Sequence, residues 1–111
     1  MTANTPMIKD AFFIKKQHRF EKVNLSDILW IKAQHNYSEV MTKHKKYLVA
    51  HTLNRFEEQI TYPFLRVHRS YIINLSKMTA FEGNRLFIER QAIPISKPNR
   101  KVLLQYVLRI Q

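Results

Sequence analysis

Short runs of aromatic and β-branched residues, separated by polar breaks, fill the first half of this sequence. Such runs favour strands, and breaks rich in Lys, His, Asn and Ser favour the turns between them. Connections this short leave no room for the crossover helix of a βαβ unit. The pattern therefore predicts a meander or a small barrel-like sheet. Its four or five strands are expected among the runs at residues 12–14, 19–23, 28–31, 37–42 and 47–49.

The hydrophobic period changes after the fifth run. Leu53, Phe56 and Ile60 fall on one face of a short helix, which Thr52 can cap and Pro63 ends. Beyond it the chain becomes extended again. Gly83 is predicted to form the turn of a hairpin whose strands cover residues 78–81 and 86–88. A last strand at residues 93–95 contains Pro94, which favours an edge or end position.

The end of the chain is predicted to be helical. Ser96 can serve as its N-cap, and Pro98 is tolerated in the first turn. An apolar stripe follows at helical spacing: Val102, Leu103, Tyr106, Val107 and Ile110. The predicted fold class is therefore mostly β, a compact sheet with a short middle helix and a C-terminal helix. Four aromatic residues are assigned to the core: Trp30, Phe56, Phe81 and Phe87.

The length of 111 residues fits a single domain. We expect this domain to cover residues 11–111. Residues 1–10 are polar and contain Pro6, so we expect a flexible segment or linker and not a signal peptide. The apolar runs are far shorter than the roughly 20 residues that span a bilayer. A cytoplasmic protein without a membrane partner is the resulting expectation.

The composition narrows the function classes. The chain has no Cys, which excludes disulfides, Cys-ligated metal sites and a thiol nucleophile, and its single Gly excludes Gly-rich phosphate loops. The net charge is +11. Residues 1–60 hold ten basic and six acidic residues, whereas residues 61–111 hold nine and two. So strong a positive excess on a chain with a core favours nucleic acid as the partner over a merely solvated basic surface.

The start of the predicted last helix is the strongest local candidate for a phosphate site. A helix N-terminus offers unpaired backbone N–H groups and a partial positive charge, which attract an anion. Cations there oppose the helix dipole, so their presence suggests an external anion. The alternative is that Lys97 and Arg100 only point into solvent. The residues of this segment are Ser96, Lys97, Asn99, Arg100 and Lys101.

Three segments of the chain resemble one family in the same order. Residues 64–75, FLRVHRSYIINL, resemble the central signature of the LytTR family of bacterial DNA-binding domains. Residues 28–31 with Asn36 and Tyr37 resemble an early strand and its loop, and residues 93–97 resemble the segment before the last helix. The resemblance implies a mostly-β fold that reads promoter DNA through loops. Such a domain usually forms the C-terminal output of a two-component response regulator.

The resemblance also implies which residues face DNA: the loop at His35, Asn36 and Tyr37, then Arg69 after His68, and finally Lys97 after Ser96. Arginine can bond guanine bidentately, and asparagine can do the same with adenine. Lys97 stands where the family usually has arginine. Lysine lacks the planar fork, which favours a phosphate contact there over base reading.

Other chemistries find less support in the sequence. No two histidines have the helical spacing of a metal-binding pair. Glu57 and Glu58 point in different directions on a helix and so cannot act as a paired acid and base, and no catalytic triad is visible. We therefore expect no metal, no cofactor, no small-molecule substrate and no enzymatic activity. The leading hypothesis is a sequence-specific binder of double-stranded DNA at promoter repeats, with a homodimer on DNA as an option. The alternative is a sequence-tolerant RNA- or single-strand-binding β domain.

Overall fold

The computed structural model describes residues 10–107 and residue 110. Two helices and ten strands occupy this described part, with single 3₁₀ turns at Leu25–Asp27 and Leu75–Lys77. In chain order the elements are β1 (Ala11–Lys16), β2 (Arg19–Asn24), β3 (Ile28–Gln34), β4 (Tyr37–Thr42), β5 (Lys46–Val49), α1 (Leu53–Gln59), β6 (Phe64–His68), β7 (Tyr71–Asn74), β8 (Ala80–Glu82), β9 (Arg85–Ile88), β10 (Gln91–Pro94) and α2 (Lys97–Leu104).

A five-stranded antiparallel sheet, ordered β5-β4-β3-β7-β6, forms the middle of the molecule. Side chains alternate between its two faces, as strand geometry requires. Trp30 therefore packs into the core on one side, and its neighbour Ile31 packs into the core on the other. The mostly-β fold class, with a short middle helix and a C-terminal helix, is confirmed.

Each face of this sheet is covered by its own layer. On one side lie the β1–β2 hairpin and α1, which share a core with the sheet through Val23 and Phe56. On the other side lie α2 and the three-stranded sheet β10-β9-β8, whose core includes Leu86, Ile93 and Leu103. The central sheet is thus buried on both faces, which keeps the turns at its ends in fixed positions.

The first five strands do not form one continuous meander. β1 and β2 pair only with each other, and the inner edge of β3 is taken by β7 from the second half of the chain. β7 has fully buried side chains on both faces, Ile72 and Ile73, so it belongs inside a sheet. The β1–β2 hairpin instead exposes one face, with Phe13 at 49% and Phe20 at 64% exposure.

The predicted cap of α1 and the predicted turn between β8 and β9 are both confirmed. The Thr52 hydroxyl accepts a hydrogen bond from the backbone N–H of Arg55 at 3.3 Å, and Leu53 and Phe56 are buried. Gly83 has a positive φ of 59° in the turn between β8 and β9, a conformation that glycine adopts without strain. Pro94 ends β10, at the edge of its sheet.

Two predictions about packing were wrong. Helix α2 ends at Leu104, and of its side chains only Leu103 is buried, so Tyr106, Val107 and Ile110 do not continue a helical stripe. The Tyr106 ring instead stacks on Tyr62 with 5.7 Å between ring centroids. Phe87 is only half-buried, because it alternates with the buried Leu86 and Ile88 and faces away from the core.

Two other predictions concern Phe81 and the N-terminal segment. Phe81 is partly buried against the core, as assigned. The predicted N-terminal linker, residues 1–10, lies outside the described residues apart from Asp10. In the part of the chain that the structure describes, no helix is long and apolar enough to cross a membrane. Nor do the described residues bring together three side chains that could hold a metal ion.

An exposed ion pair ties the β1–β2 hairpin to the β4–β5 turn. Lys45 Nζ lies 2.9 Å from Glu21 Oε2. This hydrogen bond lowers the pKa of Glu21 below its usual value and raises that of Lys45. A lowered carboxyl pKa contributes stability above the unfolded-state value, and the contribution is lost as the pH falls through the folded-state pKa.

We therefore expect a pH-dependent effect of Glu21→Gln. The variant should melt at a lower temperature than the wild type at neutral pH, and the difference should close below about pH 4.5. Thermal unfolding followed by circular dichroism at several pH values measures this. Glu58→Gln, on the exposed face of α1, is the control. A difference that does not shrink as the pH falls below about 4.5 would assign the effect to something other than the ion pair.

Candidate nucleic-acid interface

Two turns of the central sheet lie side by side at the same end. Antiparallel pairing sets Lys32 of β3 opposite Tyr71 of β7. Just beyond this pair, the backbone N–H of Ala33 donates to the carbonyl of Ser70 at 2.9 Å. The β3–β4 turn, which carries His35 and Asn36, therefore adjoins the β6–β7 turn, which carries Arg69 and Ser70.

The β3–β4 turn is short and open to solvent. Gln34 pairs with Tyr37 across it, so His35 and Asn36 form its two-residue tip. His35 has a left-handed backbone with φ of 57°, a region that histidine enters more readily than most other non-glycine residues. All three predicted site residues of this segment are exposed, and Tyr37 is the first residue of β4 with 47% exposure.

The β6–β7 turn is held by hydrogen bonds from the side chains around it. The backbone N–H of Ser70 donates to His68 Nδ1 at 3.1 Å. Arg66 donates through Nε to the carbonyl of His68 at 2.8 Å and through Nη2 to the carbonyl of Arg69 at 2.7 Å. Because His68 Nδ1 accepts, the proton of a neutral ring lies on Nε2, which leaves that group free to donate elsewhere.

The start of α2 meets this turn. The backbone N–H of Ser96 donates to the carbonyl of Val67 at 2.8 Å, which anchors the helix start to β6. Ser96 occupies the N-cap position as predicted, but its hydroxyl accepts from Asn99 Nδ2 at 2.7 Å and makes no cap to the backbone. An open cavity of about 370 Å³ lies between the two segments, lined by Arg66, His68, Arg69, Ser96 and Asn99.

The three cations of α2 differ in what surrounds them. Lys97 and Lys101 are exposed and stand one helical turn apart, on the same side of the helix. Arg100 turns instead toward the β8–β9 hairpin, where its Nε donates to the Gly83 carbonyl at 2.7 Å. Arg100 is therefore not simply solvated, and it ties the helix start to that hairpin.

The structure thus brings together His68, Arg69, Ser96 and Asn99, and it sets the turn with His35, Asn36 and Tyr37 beside them. Arg66 is not among the residues that the sequence implies as facing DNA; it lies in β6 with its guanidinium 2.8 Å from Glu57. Its alternation with Leu65 and Val67 could have placed it on the face opposite α2. No local sequence pattern predicts its hydrogen bonds to the carbonyls of the turn.

These features define a class of protein domain: a basic, mostly-β domain in which two turns of a sheet and the start of one helix lie side by side. The family model described as the LytTr DNA-binding domain matches residues 18–107, which is most of the chain. The chain therefore belongs to the LytTR family of DNA-binding domains, which serve transcriptional response regulators.

Comparison with solved structures shows the same fold. A LytTr DNA-binding domain from Bacillus cereus, in a protein described as a methyl-accepting/DNA response regulator, superposes with a TM-score of 0.76. Its sequence identity is 20%, over 88% of this chain and 99% of that one. A comparison with curated protein sequences gave no match. Neither the family match nor the solved structure supports the alternative of a single-strand- or RNA-binding domain.

Proposed function

We propose that this domain binds double-stranded promoter DNA sequence-specifically and serves as the output of a bacterial two-component response regulator in the cytoplasm. The observation that carries the proposal is the meeting of the β3–β4 turn, the β6–β7 turn and the start of α2 at one end of a sheet that is buried on both faces. Loops on so rigid a scaffold can match the fixed geometry of a DNA groove.

Base reading is assigned to the two turns. Arg69 is exposed, and its fork fits the O6 and N7 acceptors of guanine. Asn36 lies at the tip of the neighbouring turn, where its amide can donate to and accept from adenine. His35 and Tyr37 flank Asn36 and are exposed with it, so they add contacts to the DNA along the same edge.

Phosphate binding is assigned to the cavity and to α2. Ser96 and Asn99 line the cavity with His68, whose Nε2 is free to donate to an anion. Lys97 and Lys101 extend the positive surface along the helix, and Arg100 borders it from the Gly83 side. Phosphate contacts of this kind set the register of the protein on the duplex without reading sequence.

Pairing of two domains is proposed to occur on DNA and not before. A net charge of +11 on each chain opposes self-association in solution. Two adjacent promoter repeats would overcome this repulsion because the phosphates neutralise both chains. The same domain would then occupy repeated sites as a dimer.

The test of the proposed function is binding-site selection from random duplex DNA, followed by gel-shift competition. We expect a recovered sequence that binds at least about 10³-fold more tightly than random duplex, which is the lower end for specific DNA-binding proteins. Single strands of the recovered sequence should compete poorly. Competition by single strands as strong as by the duplex would overturn the proposal in favour of the single-strand alternative.

Lys101→Ala tests the phosphate assignment. We expect weaker binding to every duplex, cognate or random, and a salt slope shallower by about one unit, because one counterion-releasing contact is lost. Fluorescence anisotropy measures this slope between 50 and 200 mM salt, roughly the range over which phosphate contacts change the affinity. Lys43→Ala, in the β4–β5 turn at the opposite end of the sheet, is the matched control. An unchanged slope for Lys101→Ala would remove it from the interface.

A further inference from the structure

Arg66 uses nearly all of its hydrogen-bonding capacity inside the protein. A guanidinium has five N–H donors. Arg66 donates to the carbonyls of His68 and Arg69, to Asn54 Oδ1 at 3.1 Å and to Glu57 Oε1 at 2.8 Å. Four hydrogen bonds leave a single N–H for any external ligand. With Glu57 beside it, the charge of Arg66 is also locally balanced.

These bonds join the β6–β7 turn to a helix that is itself well anchored. Asn54 and Glu57 lie on the exposed side of α1, one turn apart. Leu53 and Phe56 bury the other side of the helix in the core, with 4% and 5% exposure. The far end of the Arg66 side chain is therefore attached to a fixed element, while its Nε and Nη2 hold two carbonyls of the turn.

The backbone of this turn is consequently held at four points. The carbonyls of His68 and Arg69 accept from Arg66, the N–H of Ser70 donates to His68, and the carbonyl of Ser70 accepts from Ala33. The ladder itself is irregular here, with a register shift between Arg66 and His68. Side-chain bonds thus replace ladder bonds where the strand pairing is disrupted.

The side chain of Arg69 is the part of this turn left for a partner. It is exposed, and among the described residues its guanidinium donates no hydrogen bond and forms no salt bridge. A flexible arginine loses conformational freedom on binding, and a fixed backbone beneath it reduces this cost.

We propose that Arg66 is a positioning residue: by linking α1 to the β6–β7 turn it holds the backbone of Arg69 in one conformation and thereby increases discrimination between DNA sequences. This inference rests on the proposed function, in which Arg69 reads a base. Arg66 lines the open cavity beside α2, but its effect on base reading is proposed to act through Arg69.

The test is a double-mutant cycle between Arg66→Lys and Arg69→Ala, read as the ratio of affinities for selected and random duplex. Lysine keeps the charge but lacks the fork that holds two carbonyls at once. We expect Arg66→Lys to lower the ratio about 2- to 13-fold, the range of an ordering cost of roughly 0.5–1.5 kcal/mol. Affinity for random duplex should fall less than affinity for the selected duplex, because the substitution keeps the positive charge beside the cavity that Arg66 lines. In the Arg69→Ala background, the same substitution should have no further effect on the ratio.

Three results would overturn the inference. One is an unchanged ratio in Arg66→Lys. Another is a loss that persists in the Arg69→Ala background, which would mean that Arg66 contacts DNA directly. The third is a fall in affinity for random duplex as large as that for selected duplex. If instead the wild type itself showed no preference for any duplex, the proposed function would fail first, and that result is distinct from the other three.

Glu57→Gln provides a second route should Arg66→Lys not fold. Glu57 is half-exposed, so its replacement leaves the core intact, and it weakens the attachment of Arg66 to α1. Glu58→Gln is the matched control, since it makes the same charge change one residue away on the exposed side of the helix. We expect Glu57→Gln to lower the ratio relative to Glu58→Gln, and only when Arg69 is present. Equal ratios for the two variants would overturn the inference.

Discussion

Leu103→Ala is expected to lower the free energy of unfolding by about 2–5 kcal/mol, as truncation of a fully buried leucine does. Leu103 is 0% exposed and is the one buried side chain of α2 among the described residues. It packs in the same core as Val67 and Ile93, which belong to two different sheets. The truncation therefore leaves a cavity and also weakens the attachment of the helix that carries Ser96 to Lys101.

Urea unfolding followed by circular dichroism measures this loss, with the stability taken from the midpoint and the slope of the transition. Val102→Ala is the matched control on the next residue, whose side chain is 37% exposed, and it should change stability by no more than about 0.5 kcal/mol. Equal effects of the two substitutions would show that α2 does not depend on Leu103 for its docking.

Arg69→Ala is expected to weaken binding to the selected duplex by about 1–3 kcal/mol and to relax the preference at one base pair, because a bidentate arginine–guanine contact is worth that much. Folding should be unaffected, since Arg69 is exposed and its backbone bonds remain. Repeating the site selection with the variant would identify the base pair whose preference is lost.

Arg69→Lys separates base reading from charge at the same position. Lysine keeps the attraction to phosphate but cannot form two parallel bonds to guanine. The variant should therefore bind random duplex like the wild type and lose affinity for the selected duplex. If Arg69→Ala instead weakened both duplexes equally, Arg69 would be a phosphate contact, like the one assigned to Lys101.

Local structure was predictable wherever the signal lies within a few neighbouring residues. The first five strands, the Thr52 cap of α1 and the Gly83 turn follow from residue type and spacing alone. The strand partners did not follow, because pairing joins residues far apart in sequence. Thus β1 and β2 were expected in the same sheet as β3, whereas β7 occupies that position.

Two kinds of prediction failed: which side chains of an element are buried, and where a helix ends. Tertiary packing decides both. The apolar stripe beyond Leu103 has helical spacing, yet α2 stops at Leu104 and Tyr106 packs on Tyr62. Phe87 is as hydrophobic as any core residue, but strand alternation gives the inner positions to its neighbours Leu86 and Ile88. Hydrophobicity alone does not say which side of an element meets another layer.

Composition and local motifs establish a net charge of +11, the absence of Cys and three segments that resemble a LytTR domain, and the family match then placed the chain in that family. How these residues are arranged depends on tertiary packing. The pairing of β3 with β7 sets two distant turns side by side, and the contact of Ser96 with Val67 adds the start of α2. The role of Arg66 depends wholly on this arrangement, since its partners on α1 and in the turn come together only when the sheet and the helix have packed.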